Sequence, residues 1–442
     1  MPGCFNIFIS SIYVISLKLT PLPGIEPADN MKFDNIIIGG GLSGLVAALE
    51  SQRAGKSTAV ISAGQSALHF WSGSFEFFSG SGSKPVIDSP LAEAAKLPSS
   101  HPYSKIGIGR TRELLDKVPA ILKDAGIKVE GNLDRNHYRL TPLGFLKPAW
   151  LSLDDYFMTD RPEELKGKKY SIVNIEGYID FYPRFLAHGL LKHGAKCEVT
   201  AVDISALAPL RKSTTEMRAT NISRFLRNDA IDELARNVNE ASSGADAVIM
   251  PAVLGMFSDS PVSRLRAGVD RPVYFIATTP ASVPGVRCQL SLRDRFTRSG
   301  GTFIPGDTVV KGDFENHRLR RIYTVNFGDM PLEADNFVIC TGSFFGHGLI
   351  ASIDRIFEPI FGLDLNVSGG RTEWYDTNFY APQPYMGYGV VTDGEFRPSL
   401  NGETITNLYA TGALLAGFNA LKEGSGAGIT LATALHAASR II

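Results

Sequence analysis

The run Asn35-Ile-Ile-Ile-Gly-Gly-Gly-Leu-Ser-Gly44 constrains the fold of this chain more than any other stretch. Ile36, Ile37 and Ile38 are β-branched with no polar alternation, the pattern of a strand buried on both faces, and glycines follow at once. Gly39, Gly41 and Gly44 fit the spacing G-x-G-x-x-G. In that pattern the first glycine makes a tight turn, the second lets backbone approach a phosphate, and the third lets helix pack on strand. Leu42, Leu45, Val46 and Leu49 recur at helical spacing until Gly55, a helix-ending residue, and Thr58 to Ser62 reads as a second strand. Backbone amides at the helix start, around Leu42, Ser43 and Gly44, then face an anion. The glycines alone also fit a simple tight turn; their place between a strand and a helix predicts a nucleotide site.

One part of that pattern is missing. The carboxylate that ends the second strand and bonds an adenosine ribose is replaced by Ser62, and no Asp or Glu follows before Glu76. FMN has no such ribose, so the replacement points to FMN, with FAD held through the serine hydroxyl as the alternative. Residues 63–110 are rich in Gly, Ser and Phe, as in Gly64-Gln-Ser-Ala-Leu-His-Phe-Trp-Ser-Gly-Ser74. Such a stretch suits a loop over a planar ligand, with Gln65 and Ser66 as contacts, or equally an irregular surface connection. His69 either faces the ring or is a hydrogen-bonded structural histidine.

At 442 residues, 44% hydrophobic and 20% charged, the chain exceeds the ~250–300 residues at which a single core stops growing, so an insertion or a second domain is expected. Its 44 basic and 45 acidic residues leave a net charge of −1 and no field to attract nucleic acid or anionic lipid. Cys4, Cys197, Cys288 and Cys340 are scattered, so no iron–sulfur or other metal site is expected from this chain alone. Residues 1–30 include an apolar run, Phe5 to Leu19, too short to span a bilayer and lacking a basic flank. We read them as a leader ahead of a native start at Met31, with a membrane-surface anchor as the alternative.

Between 111 and 300 helical stretches such as Arg112 to Asp124 mix with strands at Tyr170 to Ile175 and Ala247 to Met250. The absence of H-E-x-x-H, G-x-S-x-G and P-loop patterns removes the usual support for zinc-protease, hydrolase and kinase readings. After Gly300, Thr302 to Ile304, Asp307 to Lys311 and Arg320 to Phe327 read as antiparallel strands, with Arg318, Arg320 and Arg321 on a solvated face. A buried strand follows at Ala334 to Ile339 and ends at Cys340-Thr341-Gly342. Another strand ends at Ala410-Thr411-Gly412, and Glu423-Gly-Ser-Gly-Ala-Gly428 opens a last helix with Leu431, Leu435, Ala438 and Ile442 on one face. The first turn of that helix either offers amides to an anion, through Gly424, Gly426 and Gly428, or uses its glycines for close packing.

These motifs resemble the two-part nucleotide fold of glutathione-reductase-class flavin oxidoreductases. The stretches Gly39 to Gly44, Gly64 to Ser74, Asn407 to Gly412 and Glu423 to Gly428 resemble, more narrowly, the B-subunit family of anaerobic glycerol-3-phosphate dehydrogenases, from Met31 to the end of the chain. The fold implied is α/β, a Rossmann-like FAD/NAD(P)-binding fold with an inserted α+β domain. Residues 31–110 and 301–442 would form the flavin domain and 111–300 the insertion. The resemblance implies a complex in which an FAD-bearing catalytic subunit oxidises sn-glycerol 3-phosphate to dihydroxyacetone phosphate. In such a complex this chain would carry FMN, and an iron–sulfur, membrane-anchoring subunit would pass electrons to quinone. It implies a cytoplasmic protein held at the inner face of the membrane by its partners. Oxidation of a secondary alcohol needs a base, a hydride acceptor and cations for the phosphate. His69, His347 and Arg110 are the candidates here, and no such set is evident among them. A self-sufficient FAD-dependent oxidoreductase and a structural subunit that has lost its nucleotide are the competing readings.

Overall fold

The computed structural model describes residues 31–80, 82, 85–213 and 215–442. Cys4 and the leader or anchor proposed for residues 1–30 lie outside the described residues. Strand β1 (Met31–Ile38), helix α1 (Leu42–Arg53) and strand β2 (Thr58–Ser62) follow the expected order. The largest sheet is completed by β3 (Thr302–Pro305), β4 (Val309–Glu315), β5 (Arg318–Thr324), β6 (Leu332–Ile339) and β7 (Leu408–Ala410). Its path runs β3-β2-β1-β6-β5-β4, and β7 pairs with β6 off that path. Ile36 and Ile37 are fully buried because β1 is central, flanked by parallel neighbours on both sides.

The expectation of antiparallel strands after Gly300 is corrected at its first member. Residues Thr302 to Pro305 pair in parallel with Ala59 to Ser62, so this strand extends the nucleotide sheet. Its Phe303 and Ile304 pack against the core. Only β4 and β5 form the antiparallel hairpin, and β5 pairs with the first half of β6 while β7 pairs with Phe337 to Ile339. The arginines of β5 lie on a solvated face, with Arg320 beside Glu315 at 3.3 Å and Arg321 beside Asp313 at 2.7 Å.

Three further helices position the site: α2 (Ile108–Leu115), α3 (Val283–Arg298) and α4 (Gly426–Ile441). The single helix read from Arg112 to Asp124 is two, α2 and a second at Val118–Asp124 with Pro119 in its first turn, where a missing amide is harmless. Helix α4 is buried almost all round against α1 and α2, with Ile441 rather than Ile442 completing its apolar face; Ile442 is 56% exposed.

Between β2 and β3 lies a four-stranded parallel sheet, Lys196–Val202, Lys169–Ile175, Ala247–Pro251 and Val273–Ile276 in spatial order, alternating in sequence with helices. Two small antiparallel sheets, built from residues 74–159, join it to the main sheet. Residues 63–110 are less irregular than expected, carrying a 3-10 turn at Ala67–Phe70 and short helices at Pro90–Ala94 and Pro102–Ile106.

Candidate functional site

All five parallel strands of the main sheet end on one edge, at Ile38, Ser62, Pro305, Ile339 and Ala410, and the loops that follow them carry the glycine motifs. Ligands of open α/β sheets bind at this carboxyl edge. The glycines there have distinct jobs. Gly39 has φ +124°, and a Cβ on it would lie 2.5 Å from the Cys340 carbonyl oxygen. On Gly44 a Cβ would lie 1.9 Å from the Gly39 oxygen, so helix and turn touch backbone to backbone. Gly41 differs: the nearest atom to its Cβ position is Ser66 Cβ at 3.5 Å, and its φ of −87° suits any residue.

Gly41 is the N-cap of α1, with no side-chain cap and no acidic residue in the first turn. The amides of Leu42, Ser43 and Gly44 have no intrahelical acceptor by construction, and the helix dipole is uncompensated there. Thr341, at the end of β6, holds a buried hydroxyl with no hydrogen-bond partner. An open cradle at a helix start beside an unpaired hydroxyl fits a phosphorylated flavin.

Ser43 and Thr411 join the first and last motifs. Ser43 Oγ is 2.8 Å from Thr411 Oγ1, and the Gly412 amide donates to Thr433 Oγ1 of α4 at 3.0 Å. Gly412 has φ +71° and lies over Ser43. Of the amides in the first turn of α4, that of Gly428 donates to the Glu76 carbonyl at 2.9 Å. A Cβ on Gly428 would strike Tyr103 Oη at 2.2 Å, and one on Gly424 would meet Ser79 Oγ at 2.6 Å. Close packing is therefore the role of Gly424 and Gly428, and the amides of Gly426 and Ala427 are left for an anion. Glu423 also stands at this turn. Burial favours its protonated form, but hydrogen bonds from His101, the Asn419 amide and Ser425 outweigh that and hold it below its ordinary pKa.

Ser62 is 5% exposed and its hydroxyl donates to the Gly64 carbonyl at 3.1 Å. It presses on Gly40, where a Cβ would lie 2.4 Å from Ser62 Oγ and 3.2 Å from the Phe303 ring. Arg293 of α3 sits over Phe303 at 5.7 Å, and Gln289 of the same helix donates to the Gly40 carbonyl at 3.0 Å. Gly40, Phe303, Gln289 and Arg293 were not singled out from the sequence. The middle glycine of the run Gly39-Gly-Gly41 was the available signal for Gly40; the others come from elements 240 or more positions away and carry none.

Gln65 is exposed, and Ser66 caps the following turn by accepting from the Leu68 amide at 3.3 Å. His69 contacts Gln289, which ties it to the glycine turn; burial pushes its imidazole pKa down and that hydrogen bond opposes the shift. Phe70 and Phe345 meet edge to face at 4.8 Å and close the loops after β2 and β6 onto each other. Gly342 has φ +84°, and His347, exposed at φ +60°, lies on the same loop. Arg110 does not join them. It lines a groove beside His436, which is roughly 15 Å from Gly426 along α4 at ~1.5 Å per residue. Among the described residues, His69 and His347 lie on the loops after β2 and β6 and Arg110 lies at the far end of α4, so these three do not form one site. The thiols of Cys288 and Cys340 are pushed up to about 12, and that of Cys197 to about 11, by burial, so none is a ready nucleophile.

A family described as FAD binding domain matches residues 34–429. The chain is 39% identical over 421 residues to the B-subunit of the anaerobic glycerol-3-phosphate dehydrogenase of Yersinia pseudotuberculosis, covering 93% of this chain and 98% of that protein. It is 38% identical to the protein of the same name from Pectobacterium atrosepticum, covering 93% and 99%. Among solved structures it is similar to 3-ketosteroid delta1-dehydrogenase from Sterolibacterium denitrificans, at 11% identity and a TM-score of 0.42 over 93% of this chain and 99% of that one.

Proposed function

The chain belongs to the B-subunit family of anaerobic glycerol-3-phosphate dehydrogenases, with an FAD binding domain, and on that premise we propose that it is the flavin-bearing, electron-relaying subunit of such an enzyme. The observation that carries the reading is the start of α1 at Gly41, uncapped, free of acid and open to a phosphate. The amides of Leu42 to Gly44 would hold that phosphate, Thr341 and Gly342 would border the ring, and Phe70 with Phe345 would keep water from it. The bound flavin supplies electron acceptance and donation. Residues 31–110 and 301–442 would make up the flavin domain, and 111–300 the insertion that meets substrate or partners.

FMN is the flavin we propose. Ser62 stands where a ribose-binding carboxylate would end β2, and its hydroxyl donates to the Gly64 carbonyl, which leaves no acid there for an adenosine ribose and supports FMN. The scattering of His69, His347 and Arg110 supports leaving substrate oxidation, glycerol 3-phosphate to dihydroxyacetone phosphate, to an FAD-bearing catalytic subunit. Electrons would pass from this chain to an iron–sulfur subunit and quinone. Among the described residues no helix is long and apolar enough to cross a membrane; attachment to the inner face of the cell membrane through the partner subunits is part of the proposed reading.

The engagement of Gly428 and the presence of Glu423 at the start of α4 favour one second reading, a subunit that has lost its nucleotide. The visible spectrum of the purified chain, with acid release and chromatography of any flavin, separates the readings. Released FMN supports the relay, and released FAD supports a self-sufficient oxidoreductase. A chain that stays colourless with added flavin and with its partner subunits present is structural.

A further inference from the structure

The far end of α4 meets the start of α2 in a groove of about 380 Å³ bordered by Lys105, Arg110, Glu395, His436, Ser439 and Arg440. Helix α2 opens on Gly107 at φ +83°, with no side-chain cap and no acid in its first turn. The amides of Ile108, Gly109 and Arg110 therefore have no intrahelical acceptor, and the positive end of the dipole is open. Neither Gly107 nor Gly109 has any atom within 4 Å of its Cβ position, so no neighbouring element packs against the start of α2 on that side. The sequence Gly107-Ile-Gly-Arg110 has no role in the flavin site.

A second observation points to a ligand. His436 is 5% exposed; its Nε2 lies 3.5 Å from Glu395 Oε2, and its Nδ1 has no hydrogen-bond partner. A buried unpaired ring nitrogen is costly, and a ligand group would satisfy it. Three cations surround it in weak arrangements. Arg110 pairs with Glu113 at 2.9 Å on the surface, and Arg440 pairs with Glu395 at 2.5 Å. Lys105 is held only by neutral acceptors, the Thr392 carbonyl at 2.8 Å and its hydroxyl at 3.1 Å, while nearby Asp393 is taken by Arg397. Exposed pairs of this kind contribute little and give way readily to a stronger anion.

We propose that this groove is a binding site for a phosphate monoester or free phosphate, separate from the flavin turn. The anion sits on the first amides of α2, with Lys105 and Arg110 as counter-charges and His436 bonded to one oxygen. Arginine forks and open helix starts both select tetrahedral oxyanions. The site lies on the opposite end of α4 from the glycine motif and does not depend on which flavin is bound, or on any being bound.

Isothermal titration of the full chain, as purified, with inorganic phosphate and separately with sn-glycerol 3-phosphate tests this. We expect binding that weakens about tenfold or more in Arg110→Gln and in Lys105→Met, with thermal melting checking the fold of each, because each removes one charge-assisted contact. Gly41→Val leaves the affinity unchanged if the site is separate. Tighter binding of glycerol 3-phosphate marks a phosphorylated metabolite as the ligand, and tighter binding of phosphate marks the free ion. Absence of binding at millimolar concentration, equal affinity in folded Arg110→Gln and Lys105→Met, or loss in Gly41→Val overturns the proposal.

Discussion

The hydroxyls of Ser43 and Thr411 lie 2.8 Å apart and are buried, although 368 positions separate them in the chain. One stands in the first turn of α1 and the other at the end of β7, so this bond joins two parts of the chain, the first and last glycine motifs, across the residues between them. Neither hydroxyl is free to cap its own helix or loop, which keeps the amides at the start of α1 open.

Removing both partners should cost less than the sum of removing each alone. Thr411→Val leaves the Ser43 hydroxyl buried with only a 3.5 Å approach to the Thr430 carbonyl, and we expect a loss of about 1–3 kcal/mol. The double variant Ser43→Ala with Thr411→Val should lose less than the sum of the singles, by about 0.5–3 kcal/mol. Urea denaturation of the four proteins measures the coupling, and strict additivity would sink the claim that this contact joins the two parts.

Two glycines of the turn, Gly44 and Gly41, should separate fold from ligand. Gly44→Ala places a Cβ 1.9 Å from backbone and should destabilise by about 1–3 kcal/mol or more. Gly41→Val meets only Ser66, at 3.5 Å from its Cβ, so it should melt near the wild-type temperature while losing flavin retention. Equal flavin content in wild type and a folded Gly41→Val would remove the phosphate from this turn.

The nucleotide start was legible because its determinants are local: a β-branched run, a glycine spacing and a helical period fall within 28 residues, and the structure places β1, α1 and β2 accordingly. What could not be read is what arrives from far away. Phe303 and Gln289 carry no motif, and they reach Gly40 only because β3 pairs with β2 and α3 packs on α1. The antiparallel reading of Thr302 to Ile304 failed for the same reason, since short apolar runs do not disclose the direction of their neighbour. The last glycine cluster showed a helix start but not that Glu76 would claim the Gly428 amide.

His137 gives the fold an acid-sensitive point. It is 6% exposed, its Nε2 lies 2.7 Å from Ser152 Oγ, and burial lowers its pKa to about 4. The unfolded chain, with a histidine near ~6.5, binds the proton first, so stability is full above that value and falls as pH drops through the window from 6.5 towards about 4. The loss amounts to about 3 kcal/mol at the acid end. His137→Gln, which keeps a polar group near Ser152, should flatten the profile over that window in denaturation at stepped pH; an unchanged slope would show that another group governs it.

Arg139, in one of the small antiparallel sheets, pairs with Glu76 at 3.0 Å, with side chains 9% and 17% exposed. The carbonyl of the same Glu76 receives the Gly428 amide, so the pair also sets the start of α4. Losing either partner strands a poorly solvated charge, but not equally. Glu76→Leu leaves a guanidinium whose Nε has no partner already, and should cost about 3–5 kcal/mol. Arg139→Met leaves a carboxylate that is more exposed and has Lys147 at 4.0 Å, so its loss should be smaller. The double variant should recover much of the deficit, because no unpaired charge remains. Denaturation gives the order of stabilities, and flavin content should fall furthest in Glu76→Leu, where the backbone beside α4 is least restrained. If Arg139→Met proves the more damaging of the two, Lys147 does not compensate and burial of the carboxylate, not of the arginine, dominates the junction.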